Sequence, residues 1–528
     1  MPSKEENKIF TYQARLQLDF QTDGLLQEFA SYFLHIERKL FADISAGRQA
    51  NELKSNYIKK YGITARHFNA IKVQLEGRIG SIKEKRDVQI KQIQEKIEKT
   101  KELIKKFKKA SSLKLHQKKR YLFNLESKLS KLIFDKAKGK IELCFGSKKL
   151  FRAQFNLELN GYKDRSEWLK AWKQARADSF FLLGSKDETS GNQSCTATLQ
   201  EDGSLNFRIR LPNSLGAKYL NISNIRFKYG HQEIIKALHC CTERKQVISQ
   251  KHSNAKDLGC AISYRFKKDK KGWRIFVSVP SMKGVCCTSL KKGVIGVDIN
   301  ANHLAICETD RFGNPIYKQS FSLNTYGKSQ NQTKALIGDA CTSLIKLAKE
   351  RGKILVIEEL DFSQKKQDLK NQARPKFARM LSSLSYKSIA KGLQSKGWRE
   401  GVDVVEVNPA FTSVIGRVKF ANRYGLSIHQ AAALVIGRRH LKVSERVPRH
   451  LDKIPDGKGG YVALSLPVRN RDRHVWSYWR ELNQALKTVL AAHFRTIKDR
   501  STNTSIYEIN PNFADETSAR ESLIKLLD

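Results

Sequence analysis

Nine cysteines are present but no C-x-x-C pair, which excludes the ligand spacing of zinc ribbons and fingers. Cys240 and Cys241 are adjacent instead, as are Cys286 and Cys287. No apolar run is long enough to span a bilayer, and the opening MPSKEENKIF carries no apolar signal core. The expectation is a cytoplasmic protein with no membrane partner. Only ten prolines occur and low-complexity stretches are missing, which points to packed units joined by short connections. Acidic residues are scarce, with 52 Asp and Glu against 98 Lys and Arg and a formal net charge of +46. A compact chain with that excess repels itself unless a polyanion neutralises it, so nucleic acid is the natural partner.

With 528 residues the chain exceeds the usual size of one domain, and several units are expected. FTYQARLQLDF alternates as a strand does, and GLLQEFASYFLHIERKLF then switches to helical spacing, a boundary near Asp23. Residues 81–140 are lysine-rich. Ile90, Ile93, Ile97 and Ile104, then Leu122, Leu125, Leu129 and Leu132, recur at helical spacing and predict two helices packed as a hairpin, with a turn near Ala110-Ser111-Ser112. Lys105, Lys106, Lys108, Lys109, Lys118, Lys119 and Arg120 are candidates to track a phosphate backbone from this hairpin, although a solvated coiled-coil face has the same pattern.

Residues 141–290 turn β-rich, with IELCFG, SCTATL, LNFRIRL and the hairpin ISYRFKK–WRIFVSV punctuated by Gly203, Gly272 and Gly284. A small barrel or sandwich is expected. Arg208, Tyr264 and Arg265 are the candidate RNA contacts, by charge and stacking, among residues that could equally be cross-strand packing pairs.

From Gly293 the chain reads GVIGVDINANHLAICETDRFGNPI, an apolar strand with one carboxylate, Asp298, amid Val294, Ile295, Val297 and Ile299. A buried strand keeps such a charge only if it is paired or binds a cation. After a helical stretch, KILVIEELDFS is a second apolar strand that ends in acid at Glu358, and VDVVEVNPAFTS supplies a third. These segments resemble the split RuvC nuclease of the TnpB family of transposon-encoded RNA-guided nucleases and of the related type V CRISPR effectors. GVIGVDINANHLAI is similar to the first RuvC motif, ILVIEELDFSQKK to the second, and VNPAFTS to the element ahead of the third.

The resemblance implies a multidomain α+β chain. A wedge domain, an oligonucleotide-binding-like β-barrel, would comprise residues 1–22 and 141–290, interrupted by a helical recognition lobe at 23–140. A RuvC-like, ribonuclease H-like α/β domain would follow at 291–528. Asp298 and Glu358 take the first two catalytic and metal-ligating positions. In GLSIHQAAALVIGRR, His429 stands where the family has an Asp, and no Asp occurs between Asp403 and Asp452. Imidazole binds many divalent cations, so His429 is the third candidate catalytic ligand, the alternative being a position that has lost its ligand. The family's cysteine ribbon is missing between Ser413 and His429, so zinc is not expected, and Arg417, Lys419, Arg423 and Tyr424 are candidates for a smaller nucleic-acid surface there.

The implied activity is metal-dependent endodeoxyribonuclease action by a prokaryotic protein. A guide RNA would select a target double-stranded DNA, and Mg²⁺ (or Mn²⁺) would assist phosphodiester hydrolysis. Two alternatives stay open: a nuclease-inactive RNA-guided DNA binder, and a guide-independent DNA nuclease or transposase. Self-association is left open.

Overall fold

A computed structural model describes residues 8–107, 112–188, 190–249, 259–300, 302–360, 386–443, 446–448 and 453–502. The chain divides into two compact units, Met1–Ser281 and Met282–Asp528. Among the described residues no helix is long and apolar enough to cross a membrane.

In the first unit, strand β1 (Lys8–Arg15) leads into α1 (Phe20–Ser45), whose start is fixed by Asp19 accepting from the Thr22 amide at 2.7 Å. Leu26, Phe29, Phe33, Ile36 and Leu40 recur on one stripe of α1 and are buried. Helix α2 (Ala50–Tyr61) ends at Gly62, whose left-handed backbone terminates the helix without strain. The long α3 (Ala65–Phe107) has two parts with different duties. Phe68, Ile71 and Leu75 join the unit's core, while Ile93 and Ile97 meet Leu122, Leu125, Leu129 and Leu132 of α4 (Ser112–Ala137). Ion pairs Lys136–Asp87 (2.7 Å) and Lys101–Glu126 (3.9 Å) show that α3 and α4 run antiparallel. Of the expected turn, Ala110 and Ser111 lie outside the described residues.

IELCFG is not a strand, contrary to expectation. Its side chains are used individually: Phe145 enters the main core, and Cys144 packs on a separate cluster of Trp168 and Trp172 between α5 (Lys148–Ala153) and α6 (Arg165–Arg176).

The remaining strands are β2 (Ser179–Leu182), β3 (Cys195–Leu199), β4 (Leu205–Arg210), β5 (Tyr219–Ile225), β6 (Ser263–Asp269) and β7 (Gly272–Ser281), with α7 (His231–Ser249) between β5 and β6. They form two open antiparallel sheets, β1-β7-β6-β2 and β3-β4-β5, so the expected closed barrel is corrected. Closure would require β1 and β2 to pair, but α1 and α3 pack against β2 instead. Both sheets and the helices α1 to α3 share one apolar core, so the helical segment 23–140 and the β-rich segments lie within one compact unit.

The second unit is built on a five-stranded sheet of order β10-β9-β8-β11-β12, comprising β8 (Val294–Ile299), β9 (His303–Thr309), β10 (Pro315–Ser322), β11 (Ile354–Glu358) and β12 (Val404–Val407). The first three strands form an antiparallel meander, turned between β9 and β10 by Asp310 accepting from the Phe312 and Asn314 amides at 2.8 Å each. Strands β11 and β12 run parallel to β8, reached through helices α8 (Gln330–Arg351) and α9 (Tyr386–Glu400).

Both faces are covered. Ile295, Val297, Leu355 and Ile357 face α8 and α9, while Val294, Ile354 and Val356 meet Ile436 of α11 (Ile428–His440). A short α10 (Thr412–Ile415) and a π-helical turn (Gly416–Ala421) precede α11. The two-stranded β13 (Ile454–Pro455) and β14 (Tyr461–Val462) and the closing α12 (Val475–Thr502) complete the unit.

Candidate active site

The placement of the site begins with a glycine. A Cβ on Gly296, at the centre of β8, would sit 1.9 Å from the Ala433 carbonyl oxygen, so only glycine lets α11 lie this close to the sheet. Ala431, Ala432, Ala433 and Gly437 give α11 the matching small face. Val356 of β11 is paired with Gly296, and two residues further along each strand stand Glu358 and Asp298. Because side chains alternate, both carboxylates lie on the α11 face, at the C-terminal ends of neighbouring parallel strands. That end of an open α/β sheet is where ligands bind. Four residues before Ala433, one helical turn, is His429.

Asp298 and Glu358 are 8% and 9% exposed, burial that an ionised carboxylate tolerates only with partners. His429 Nδ1 lies 2.8 Å from Asp298 Oδ2, and Asn300 Nδ2 donates to the same oxygen at 2.9 Å. Burial pushes the Asp298 carboxyl up. The hydrogen bond and charge of His429, then Asn300 and His303, outweigh that push and hold the group below its ordinary value. The carboxylate is therefore the acceptor, which places the imidazole proton on Nδ1 and, in the neutral ring, leaves a lone pair on Nε2. The His303 ring meets that of His429 edge-on at 4.6 Å and fixes its tilt.

Glu358 accepts from the Thr412 hydroxyl at 2.5 Å. Thr412 is held in place by a chain of local causes. Asn408 accepts from the Ala410 amide, Arg439 of α11 donates to the carbonyls of Asn408 and Ala410, and Phe411 takes a left-handed φ of 59° to start α10. Tyr386, the first residue of α9, feels both carboxylates. Burial first, and then Glu358, Glu406 and Asp298, raise its phenol.

Asn300, His303, Tyr386 and Thr412 were not singled out from sequence. Only Thr412 carried a readable signal, as the hydroxyl within VNPAFTS. Neutral partners of this kind have no compositional signature.

An Asp and a Glu on one face of adjacent strands suit a hard divalent cation, which takes one or two carboxylates and completes its shell with water and phosphate oxygens. His429 is bonded to Asp298 through Nδ1. Among the described residues, no group of three or more His, Cys, Asp or Glu side chains is arranged to hold a metal ion.

The other sequence candidates fall in both units. Lys105, Lys119 and Arg120 are exposed on α3 and α4, and Lys118 is half-buried, its ammonium 5.9 Å from the Tyr121 ring centre. Lys108, Lys109 and the side chain of Lys106 lie outside the described residues. Arg208 and Arg265 point outward from β4 and β6, Arg265 against the Phe181 ring.

Two candidates are corrected. Tyr264 is 0% exposed, edge-on to Phe207 inside the first unit's core, and offers no surface. Arg417 is buried, its Nε donating to the Pro455 carbonyl at 2.7 Å, so it anchors β13. Lys419, Arg423 and Tyr424 remain near one another beside α11, with Arg423 exposed and Tyr424 stacked on Phe420.

No protein-family model matches the chain, and no curated protein matches it in sequence. Among solved structures it is similar to a selenomethionine-derived Cas12i1 R-loop complex before target DNA cleavage, at 10% identity and a TM-score of 0.14 over 83% of this chain. The chain spans half the length of that protein, matching 50% of it. A TM-score that low carries no argument about the site.

Proposed function

We propose that this chain is an RNA-guided DNA endonuclease with a RuvC-type site, of the kind its sequence resembles. One observation carries the reading: Asp298 and Glu358 are buried side by side on the α11 face at the C-terminal ends of β8 and β11. A sheet of order 3-2-1-4-5 with strand 2 antiparallel, and a helix bringing His429 onto Asp298, suits the ribonuclease H-like arrangement. The +46 charge suits a protein that holds a guide RNA and its DNA target by their backbones.

Asp298 and Glu358 would hold the divalent cation. Bound there, it would supply Lewis-acid stabilisation of the phosphodiester and a more acidic water. Thr412 keeps Glu358 in position, Asn300 keeps Asp298 in position, and His429, oriented by Asp298, presents Nε2.

The test is one preparation: RNA that copurifies is sequenced, and a DNA duplex matching it is offered with Mg²⁺ and with a chelator. The reading expects Mg²⁺-dependent cleavage that Asp298→Ala and Glu358→Ala each abolish. His429→Ala should also remove cleavage while His429→Asp keeps a measurable fraction; an alanine variant as active as the parent would rule out a role for His429 as ligand.

A second reading has its own observation. The Asp298–His429 hydrogen bond already satisfies the carboxylate, as it would in an RNA-guided binder that no longer cuts. That reading expects the matched duplex to be bound and left whole.

A further inference from the structure

Sheet β3-β4-β5 has one face that the fold uses and one that it leaves open. Cys195, Ala197, Leu205, Phe207, Ile209, Leu220, Ile222 and Ile225 all point into the core. The alternate residues face out: Thr196 and Thr198 on β3, Asn206, Arg208 and Arg210 on β4, Tyr219, Asn221 and Ser223 on β5. CTATL, LNFRIR and YLNISNI contain no acidic residue, so the open face carries cations, amides, hydroxyls and one aromatic ring. The buried face alone satisfies the core, which leaves the outer ring and its guanidiniums available to a ligand.

Tyr219 is 40% exposed and opens the edge strand β5, at the end of this face where β4 finishes. The Arg208 guanidinium lies 4.7 Å from its ring centre, that of Arg210 lies 5.4 Å away, and the Lys218 ammonium 5.8 Å. Arg210 is pinned by donating to the Lys218 carbonyl at 3.0 Å and to Asn213 Oδ1 at 2.9 Å, so the platform is preformed. By register Arg210 is opposite Tyr219, while Arg208 is flanked by Thr196 on one side and Asn221 on the other.

We infer that the open face of β3-β4-β5 binds single-stranded RNA, with a base stacked on the platform of Tyr219, Arg208 and Arg210. A flat ring beside guanidiniums offers stacking, and the cations meet the phosphates that connect one base to the next. A duplex keeps its base faces covered and has none to offer Tyr219. Thr196, Asn221 and Ser223 are neutral donors and acceptors placed to engage base edges and 2′-hydroxyls, the groups that set single-stranded RNA apart. The inference is independent of cleavage by the second unit.

The probe is a short thiouridine-bearing RNA, offered to the full chain after copurified RNA has been stripped in high salt. Photo-crosslinked peptides are mapped by mass spectrometry, and affinity is measured at a salt concentration that suppresses unstacked phosphate contacts. The expected adduct falls on the peptide carrying Tyr219. Tyr219→Ala should weaken high-salt binding about 5- to 100-fold, the range for one stacked base, while Tyr219→Phe keeps it. Arg208→Ala should lower the slope of log affinity against log salt by about 0.7, one phosphate contact. Because these side chains are exposed, unchanged melting temperatures separate lost binding from lost folding. The inference is overturned if Tyr219→Ala binds as the parent does, if adducts form only elsewhere, or if DNA of the same sequence or an RNA duplex binds equally well.

Discussion

The two ends of the five-stranded sheet both bury carboxylates and treat them in opposite ways. At the end where β8 begins, Glu308 of β9 meets Lys353 at 2.8 Å and Arg351 at 3.9 Å, and Lys353 also donates to the Thr309 carbonyl at 2.6 Å. This is a closed ion pair: the protein supplies the counter-charge itself. At the end where β8 and β11 finish, Asp298 faces an imidazole and an amide, with no lysine or arginine paired to it among the described residues. Glu358 accepts from a threonine hydroxyl. An imidazole and an amide hold Asp298 in place without the permanent positive charge that Lys353 gives Glu308. Glu308 is completed by the fold, whereas under the proposed function Asp298 is completed by its ligand.

Breaking the closed pair should have the largest effect on stability. Lys353→Met strands Glu308 in the core and should cost about 3–5 kcal/mol in denaturant unfolding, while the double change with Glu308→Leu recovers most of the loss. Full stability in the single variant would mean that Glu308 is not held by Lys353.

A third solution lies in the first unit, where His67 is buried against Phe29 and Phe33 and burial pushes its imidazole down to about 4. The unfolded chain takes up a proton near pH 6.5 that the folded chain refuses until about pH 4. The His67 contribution is thus complete above the first value and is lost as pH falls toward the second, by about 3 kcal/mol in all. Stability curves across that window should be steeper for the parent than for His67→Phe.

Thr412→Val leaves Glu358 without its hydroxyl donor and should cost about 1–3 kcal/mol. The smallest effect sharpens the contrast most. Asp298→Asn keeps the shape of the side chain and a polar partner for His429, and under the proposed function it should change stability by no more than about 1 kcal/mol. If it destabilises as much as Lys353→Met, the two ends of the sheet are alike after all.

How much of this could be read in the chain follows from the same contrast. Asp298 announced itself because a charge in GVIGVDIN has no structural excuse, whereas the capping box of Ser427 and Gln430 that starts α11 went unread. The helical hairpin was legible because its isoleucines and leucines keep one period over many turns. The interior places of Tyr264 and Arg417 were not. In β6, alternation says only that Tyr264 and Arg265 point apart, and a tyrosine is at home on either side. Arg417 is consumed by a carbonyl 38 residues away, a non-local partner without a local sign. The barrel failed to close for a similar reason, since strand patterns fix which residues alternate but not whether a helix takes the place of the last pairing. Tyr219, which carries the proposed RNA platform, is distinguished only by the register that puts it opposite Arg210.

The central claim is that Asp298 and Glu358 form a site for cleavage, and the most direct measurement is the fate of a DNA duplex matched to the copurified RNA. The account predicts cleavage by the parent in Mg²⁺, none with a chelator, and none from an Asp298→Asn variant that remains folded and still binds the duplex. Cleavage by that variant at the parent's rate, or a parent that binds the matched duplex and never cuts it in Mg²⁺, would contradict it.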